Sequence, residues 1–370
     1  MNKNFFNAKR LVIKIGSALL VKDSKIRQSW LKSLLSDVLF LVNNGVEVVI
    51  VSSGAIAIGK NILKQEKVKT IAQKQALAAV GQIQLMSKYK NIANNIGFNV
   101  AQILLTASDF FDKQRYENLE NVMNYLLKNN IVPIINENDS VAVDEIKIGD
   151  NDRLAARVAQ IIGADILILF SDIDGLYDKN PKIFKDAKLI NEVSNITKNI
   201  EEMAGSSVSS VGTGGMITKI TAAKMASITG CKTIITSGIE NNCLLKLYNN
   251  NQNFTIFSSA KKNIKNRKKW LSGFFNAKGH VVVNEYAKKA LLDKNASLLP
   301  IGVIKIDGNF NKGDLIFIKD ENGNHLASGI VNYDYISAKK VIGKNSQEVK
   351  KIMGQSFKTE IVHIDNLVII

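Results

Sequence analysis

Apolar positions along this chain follow two rhythms that alternate from the start. Unbroken apolar runs, each stopped by Gly, Ser, Asn or Asp, read as strands buried on both faces, while apolar residues recurring every three or four positions read as amphipathic helices. LVIKI (11–15) is the first run and ends at Gly16-Ser17. Leu31, Leu34, Leu35, Val38, Leu39 and Val42 follow at helical spacing, with Gly45 placed to end the helix. VEVVIV (46–51) gives way to the small-residue turn SSGAIAIG, and NVAQILL (99–105) precedes a helix whose apolar face is Leu119, Val122, Met123, Leu126 and Leu127. IVPII (131–135), ILILF (166–170), KTIIT (232–236) and FTIF (254–257) are the later strands. Helical patterns separate them from Leu154 to Ile162, after VGTGGM to about Thr229, and around Leu244 to Tyr248. This alternation predicts an α/β fold, a mostly parallel sheet sandwiched by helices.

The rhythm shortens from about Ser272 to Gly354. HVVV, GVIKI, DLIFI and LASGIV are separated by turn signals such as DGNFNKGD and DENGN, which predicts a small C-terminal β-rich domain. The expected organisation is a first domain over 1–258, a basic linker over 259–272, the β-rich domain over 273–355 and a C-terminal tail over 356–370.

Composition changes this picture in a few places. A hydrophobic share of 46% with 22% charged residues is that of an ordinary folded chain. No apolar run approaches the roughly 18 residues of a spanning helix. Lys14 interrupts LVIKIGSALLV and spoils it as a signal-peptide core. With two cysteines, Cys231 and Cys243, no disulfide framework is expected, and a cytoplasmic location fits. The net charge of +16 points to anionic ligands or nucleic acid. Most of that excess is lysine spread through Asn- and Ile-rich sequence; only KKNIKNRKK (261–269) concentrates it, hence the basic linker.

The densest chemistry follows IVPII. Asn136 stops the strand, and six carboxylates (Glu137, Asp139, Asp144, Glu145, Asp150, Asp152) crowd the stretch before Leu154. Such acids repel one another unless lysines, a metal ion or a ligand's ammonium group sit among them. A solvated acidic loop is the plainer alternative, but the interspersed Asn136, Asn138 and Asn151 suit a polar zwitterion. All three histidines (His280, His325, His363) fall in the C-terminal part, so the first domain has no His-based triad or metal site. Neither GxxxxGK[ST] nor GxGxxG occurs. GTGGMITK (212–219) offers instead a flexible loop at a helix start with Lys219 one turn in, a place for a phosphate, although Gly-rich turns before helices are common. Lys14 inside an apolar strand could snorkel from a sheet edge, but beside Gly16-Ser17, at a strand end facing the acidic loop, it is better explained as a phosphate ligand. Two lysines, a Gly-rich helix start, several acids and no histidine suit phosphoryl transfer to an acceptor that is already ionised, as a carboxylate is, and needs no general base.

Taken together, VIKIGSALL, VIVSSGAIAIG, VPIINENDSVAVDEIKIGDNDRLAA, FSDIDGLYDKNP and GTGGMITK resemble the amino-acid kinase family, and GVIKIDGNFNKGDLIFI with GNHLASGIVNYDYISAKKVIG is similar to a PUA domain. The resemblance spans nearly the whole chain. It lies closest to the branch that phosphorylates the side-chain carboxylate of L-glutamate with ATP and Mg²⁺, the first step towards proline. It implies the amino-acid kinase fold followed by a PUA-like domain. Matched motif by motif, it implies Lys14 and Lys219 as the lysines that stabilise the transferring phosphoryl group and Asp152 as the acid that holds them. Ser53, Asn136, Asp139, Asp150 and Asn151 fall at glutamate-binding positions. Lys14, Ser171, Asp172, Thr213, Gly214, Gly215, Met216, Ile217, Thr218 and Lys219 fall at ATP-binding ones, with no protein ligand to a metal. Ser171 stands where the family usually has Thr and keeps the hydroxyl; Ile217 stands where a smaller polar residue is common.

The same resemblance implies a homo-oligomer, dimer or tetramer, no membrane association, and glutamyl-phosphate reductase as the downstream enzyme. RNA binding by the PUA-like domain is left open beside a structural or regulatory role. Two other readings compete. An aspartate or acetylglutamate kinase would share the fold, but the family's aspartokinases carry ACT domains where this chain is PUA-like. RNA modification is disfavoured because no Asp sits in the Gly-Arg-Leu-Asp context of the pseudouridine synthases.

Overall fold

Strand pairing in the N-terminal part follows directly from the apolar runs. The structure, a computed structural model, describes residues 8–23, 25–65, 67–106, 109–110, 113–141, 150–205, 215–259, 277–294, 296–354 and 358–369. The chain divides into two units, Met1–Asn263 and Ile264–Ile370. In the first, β1 (Arg10–Ile15) leads to the short pair β2 (Val21–Lys22) and β3 (Lys25–Ile26), then β4 (Glu47–Ser52), β5 (Val100–Leu105), β6 (Val132–Glu137) and β7 (Ile166–Ser171). β8 (Leu176–Tyr177) and β9 (Leu189–Ile190) form a small separate pair, and β10 (Glu192–Val193), β11 (Lys232–Ser237) and β12 (Phe254–Phe257) follow.

The main sheet has eight strands in the order β10-β12-β11-β7-β1-β4-β6-β5. From β11 across to β5 all neighbours are parallel, while β12 pairs antiparallel with β11 and β10 pairs parallel with β12. One margin therefore collects Ile15, Ser52, Glu137, Ser171 and Ser237, the carboxyl ends of the parallel strands, where open α/β sheets bind their ligands. β1, β4 and β7 are buried at almost every position because both faces are covered. On one face Leu11, Ile13 and Ile15 join a core with Trp30, Leu34, Leu85 and Tyr89. Lys14 points to the opposite face, where it meets Asp152 at the start of the Asn151–Ile162 helix.

The longest helix, Ile71–Ile96, lies in a stretch that the strand-and-helix pattern leaves unassigned. It opens on a capping box between Thr70 and Gln73 and ends at Gly97, whose φ of 97° is left-handed. Its buried stripe is thin, and half of it is small residues (Ala78, Gly81 and Ala93 beside Leu77, Leu85 and Tyr89), which weakens the apolar period. Small residues there permit close approach to the Ala55–Ile62 helix. A Cβ on Gly81 would stand 1.8 Å from the Ala55 carbonyl oxygen, and one on Gly59 would stand 2.0 Å from that of Leu77.

The second unit holds a five-stranded sheet. β13 (Gly279–Val283), β14 (Val303–Gly308), β15 (Leu315–Lys319), β16 (His325–Val331) and β17 (Val362–Ile369) are arranged β14-β13-β15-β16-β17. Val281, Ile316, Ile318, Ala327 and Leu367 build its core with Ala338 and Val349 from the helices Tyr335–Val341 and Ser346–Met353. The segment read from sequence as a tail thus supplies β17, which pairs antiparallel with β16. The linker lysines and Arg267 lie outside the described residues. Among the described residues no helix is long and apolar enough to cross a membrane.

Candidate active site

Lys14, Ser53, Asn136, Asp150, Asn151, Asp152, Thr218 and Lys219, all singled out from sequence, gather around the start of the Asn151–Ile162 helix. Asp150 is its N-cap, with Oδ1 accepting from the Asp152 amide at 2.5 Å. Asp152, one turn position further in, has no solvent exposure. Its Oδ1 lies 2.6 Å from Lys14 Nζ and its Oδ2 lies 3.0 Å from Lys219 Nζ. β1 and the Met216–Ser227 helix each contribute one of these buried lysines, so two distant segments converge on a single acid. Thr218 Oγ1 completes the group at 3.0 Å from Asp152 Oδ2 and 2.7 Å from the Gly215 carbonyl. Burial pushes the Asp152 carboxyl up, but the charges and hydrogen bonds of Lys14 and Lys219 outweigh it and hold the group below the usual carboxylate range. Net, the cluster carries one excess positive charge.

Asp150 has the opposite environment. Its Oδ2 is buried without a hydrogen-bond partner. Burial first, and the neighbouring Asp152 charge second, push its carboxyl above the ordinary value. Burial and Asp152 outweigh the Lys14 charge that favours the ionised form, so a further cation would be stabilised here.

Beside these acids stands a cluster of amides and hydroxyls. Asn151 Nδ2 donates to Ser53 Oγ at 2.6 Å and to Asn136 Oδ1 at 3.1 Å, and lies 3.2 Å from the Ser52 carbonyl. Ser53 sits on the turn after β4, fixed by Gly54 at φ 111°, a conformation that suits glycine. Asn136, nearly buried near the end of β6, donates through Nδ2 to Gln82 Oε1 at 3.0 Å. Gln82, which accepts this hydrogen bond, was not singled out from sequence because it lies on the unassigned Ile71–Ile96 helix. Asp139 lines a pocket of about 220 Å³ together with Gln82, Gln102, Glu137 and Asn138. Asp144 and Glu145 lie outside the described residues.

Ser171 and Asp172 close β7, with Ser171 Oγ donating to Asp172 Oδ1 at 3.1 Å. The Asp172 carboxylate is otherwise approached by Lys182 at 3.8 Å. Gly215 is the N-cap of the Met216–Ser227 helix in extended conformation, and Ile217 on its first turn is 44% exposed. Thr213 and Gly214 lie outside the described residues. A second pocket, about 330 Å³, opens at Ser237 on the end of β11, lined by Asp174, Glu240, Lys246, Gln252 and Asn253.

Residues 9–237 match the sequence signature of the Amino acid kinase family, and residues 279–353 that of the PUA domain. A glutamate 5-kinase of Thermoanaerobacter sp. (strain X514) is 44% identical over 365 residues, 98% of either chain. One of Pelagibacter ubique (strain HTCC1062) is 43% identical over 364 residues, again 98% of either. Among solved structures, carbamate kinase from Giardia lamblia bound to AMP-PNP superposes with a TM-score of 0.50 at 15% identity, over 69% of this chain and 99% of that one. That last likeness concerns the fold alone.

Proposed function

We propose, from the premise that this chain belongs to the amino acid kinase family and groups within it with the glutamate 5-kinases, that its site transfers the γ-phosphoryl group of ATP to the side-chain carboxylate of L-glutamate. The product is L-glutamyl 5-phosphate, and the reaction opens proline biosynthesis. The observation that carries the reading is Asp152 holding two buried ammonium groups, Lys14 and Lys219, one from a strand end and one from a helix start.

A carboxylate acceptor is ionised at neutral pH. Transfer therefore needs no proton abstraction, which fits a cluster without histidine. A glutamate carboxylate oxygen forms a bond to the γ-phosphorus while the bond to the bridging oxygen breaks and its electrons leave with ADP. Negative charge meets negative charge in this step, and Lys14 and Lys219, oriented in advance by Asp152, neutralise it. Asp150 receives the glutamate ammonium group, with Ser53, Asn136, Asn151 and Asp139 as its polar neighbours. Ser171, Asp172 and the segment from Thr213 to Lys219 take the nucleotide, for which the pocket at Ser237 offers room.

Mg²⁺ fits this donor set as an ion carried on the ATP phosphates. Among the described residues no three His, Cys, Asp or Glu side chains group to cage a metal, and Mg²⁺ needs only one or two carboxylates beside phosphates and water. Asp172, whose ion pair to Lys182 is long, is the carboxylate that would hold it. When bound, the ion supplies neutralisation of phosphate charge. The acyl phosphate product is reactive, so a reductase that consumes it without delay is the downstream partner we expect.

ATP turnover with L-glutamate, L-aspartate and N-acetyl-L-glutamate in parallel, with hydroxylamine trapping the acyl phosphate, tests the reading. Hydroxamate should form with glutamate well above the other two. Equal or greater yield from aspartate or acetylglutamate would overturn it.

A further inference from the structure

We infer that Gln82 is a positioning residue for amino-acid recognition: by accepting from Asn136 it sets the orientation of the Asn136 amide, and through it that of Asn151. The inference rests on the reading of Ser53, Asn136 and Asn151 as glutamate-binding residues.

An asparagine side chain presents a carbonyl oxygen on one side and an NH₂ group on the other, and rotation by half a turn exchanges them. Asn136 stands between two partners. Its Nδ2 donates to Gln82 Oε1 at 3.0 Å, and its Oδ1 accepts from Asn151 Nδ2 at 3.1 Å. With Gln82 accepting, the oxygen must face Asn151. Without an acceptor at position 82 the exchanged orientation would set the NH₂ groups of Asn136 and Asn151 against each other. Asn151 would then lose a fixed direction for Nδ2, which also reaches Ser53 Oγ at 2.6 Å. Because Asn136 is 4% exposed, water is poorly placed to substitute for the lost acceptor.

Gln82 sits on a closely packed stretch of helix. Its neighbour Gly81 packs without a Cβ against the Ala55 carbonyl, which is next to the Ser53-Gly54 turn. The Ile71–Ile96 helix thus braces the substrate turn by backbone contact and the amide cluster by one hydrogen bond. Gln82 also lines the pocket that contains Glu137 and Asp139, so it lies on the amino-acid side of the site and not among the lysines.

Two variants test this in the full chain. Gln82→Met keeps side-chain length and helix propensity but removes the acceptor, and Gln82→Glu keeps an acceptor oxygen. Gln82→Met should raise KM for glutamate about tenfold, the scale of one hydrogen bond plus a misdirected amide, with KM for ATP and Tm nearly unchanged. Gln82→Glu should recover most of that loss. In an Asn136→Ala background, Gln82→Met should add almost nothing, since both changes act on one path. Additive losses, a Gln82→Glu variant as poor as Gln82→Met, or KM for both substrates rising together with a fall in Tm would each overturn the inference. Wild-type turnover with glutamate, measured in the same assay, separates the two levels: its absence defeats the functional reading, whereas normal wild-type turnover with a silent Gln82→Met defeats only this one.

Discussion

Asp150 and Asp152 are two residues apart at one helix start, yet the chain treats them in opposite ways. Asp152 has both oxygens against lysines and is held below the usual carboxylate range. Asp150 spends one oxygen on the helix cap, leaves the other buried without a partner, and is pushed above that range. The first charge is balanced inside the protein, so it serves to aim two cations. The Lys14 charge favours ionisation of the second as well, but burial and Asp152 outweigh it, so a ligand's cation would add the balance it lacks. Under the proposed function, that difference would divide the site into a cation-rich half acting on the transferring group and an amide-rich half recognising the acceptor.

The largest expected effect comes from Asp152→Asn. It strands two buried ammonium groups, and removing one partner of a buried ion pair costs about 3–5 kcal/mol. Tm should fall sharply; an unchanged Tm would mean that the lysines are balanced by something else and would erase the contrast. Next come Lys14→Ala and Lys219→Ala, each of which should lower kcat by at least about a hundredfold, as loss of one preorganised charge donor does. A change confined to KM for glutamate would move these lysines into the recognition half.

Asp150→Asn should act in the opposite sense on stability. Asparagine still caps a helix and carries no buried charge, so Tm of the ligand-free protein should equal or exceed that of the wild type. KM for glutamate should meanwhile rise by the equivalent of roughly 1.5–3 kcal/mol, the scale of a charged hydrogen bond, with KM for ATP little changed. Equal rises in both KM values would merge the two halves.

The smallest effect is on pH dependence, and there the two acids differ in sign. Asp152, with its pKa lowered on folding, contributes stability that is present above the unfolded value near ~3.9 and is lost as pH falls through the folded one. Asp150, with its pKa raised, favours folding most when protonated and loses that contribution as pH rises through its folded value. For binding the consequence reverses, because only ionised Asp150 attracts an ammonium group. KM for glutamate should therefore climb as pH drops through the raised Asp150 value, while KM for ATP stays flatter. The climb should disappear in Asp150→Asn; its persistence there would assign the titration to another group.

Much of this was legible along the chain. The apolar runs located seven of the eight strands of the main sheet, all but the two-residue β10, and the Gly, Ser, Asn and Asp residues that stop them marked the ligand-binding margin. Burial on both faces forces near-continuous apolar strands, and only a strand end can release polar groups, so this part of the fold is written locally. The lysine inside β1 was also visible as an anomaly, and its place beside Gly16-Ser17 favoured a phosphate ligand over snorkelling from a sheet edge. The Ile71–Ile96 helix escaped because its buried face uses alanine and glycine for closeness where a period search looks for bulk. β17 escaped because an edge strand late in the chain is defined by its partner β16.

By itself, then, the sequence determined most strands of the main sheet and which chemical groups stand at their ends. It could not determine that Asp150 and Asp152 would differ, since the two share a helix start and a side chain. Their contrast arises from groups brought in across the chain, Lys219 to Asp152 over 67 residues and Gln82 to Asn136 over 54. Ionisation and amide orientation depend on burial and on neighbours within a few ångströms, and those neighbours are assigned by the parallel register of the sheet and the packing of helices on its faces.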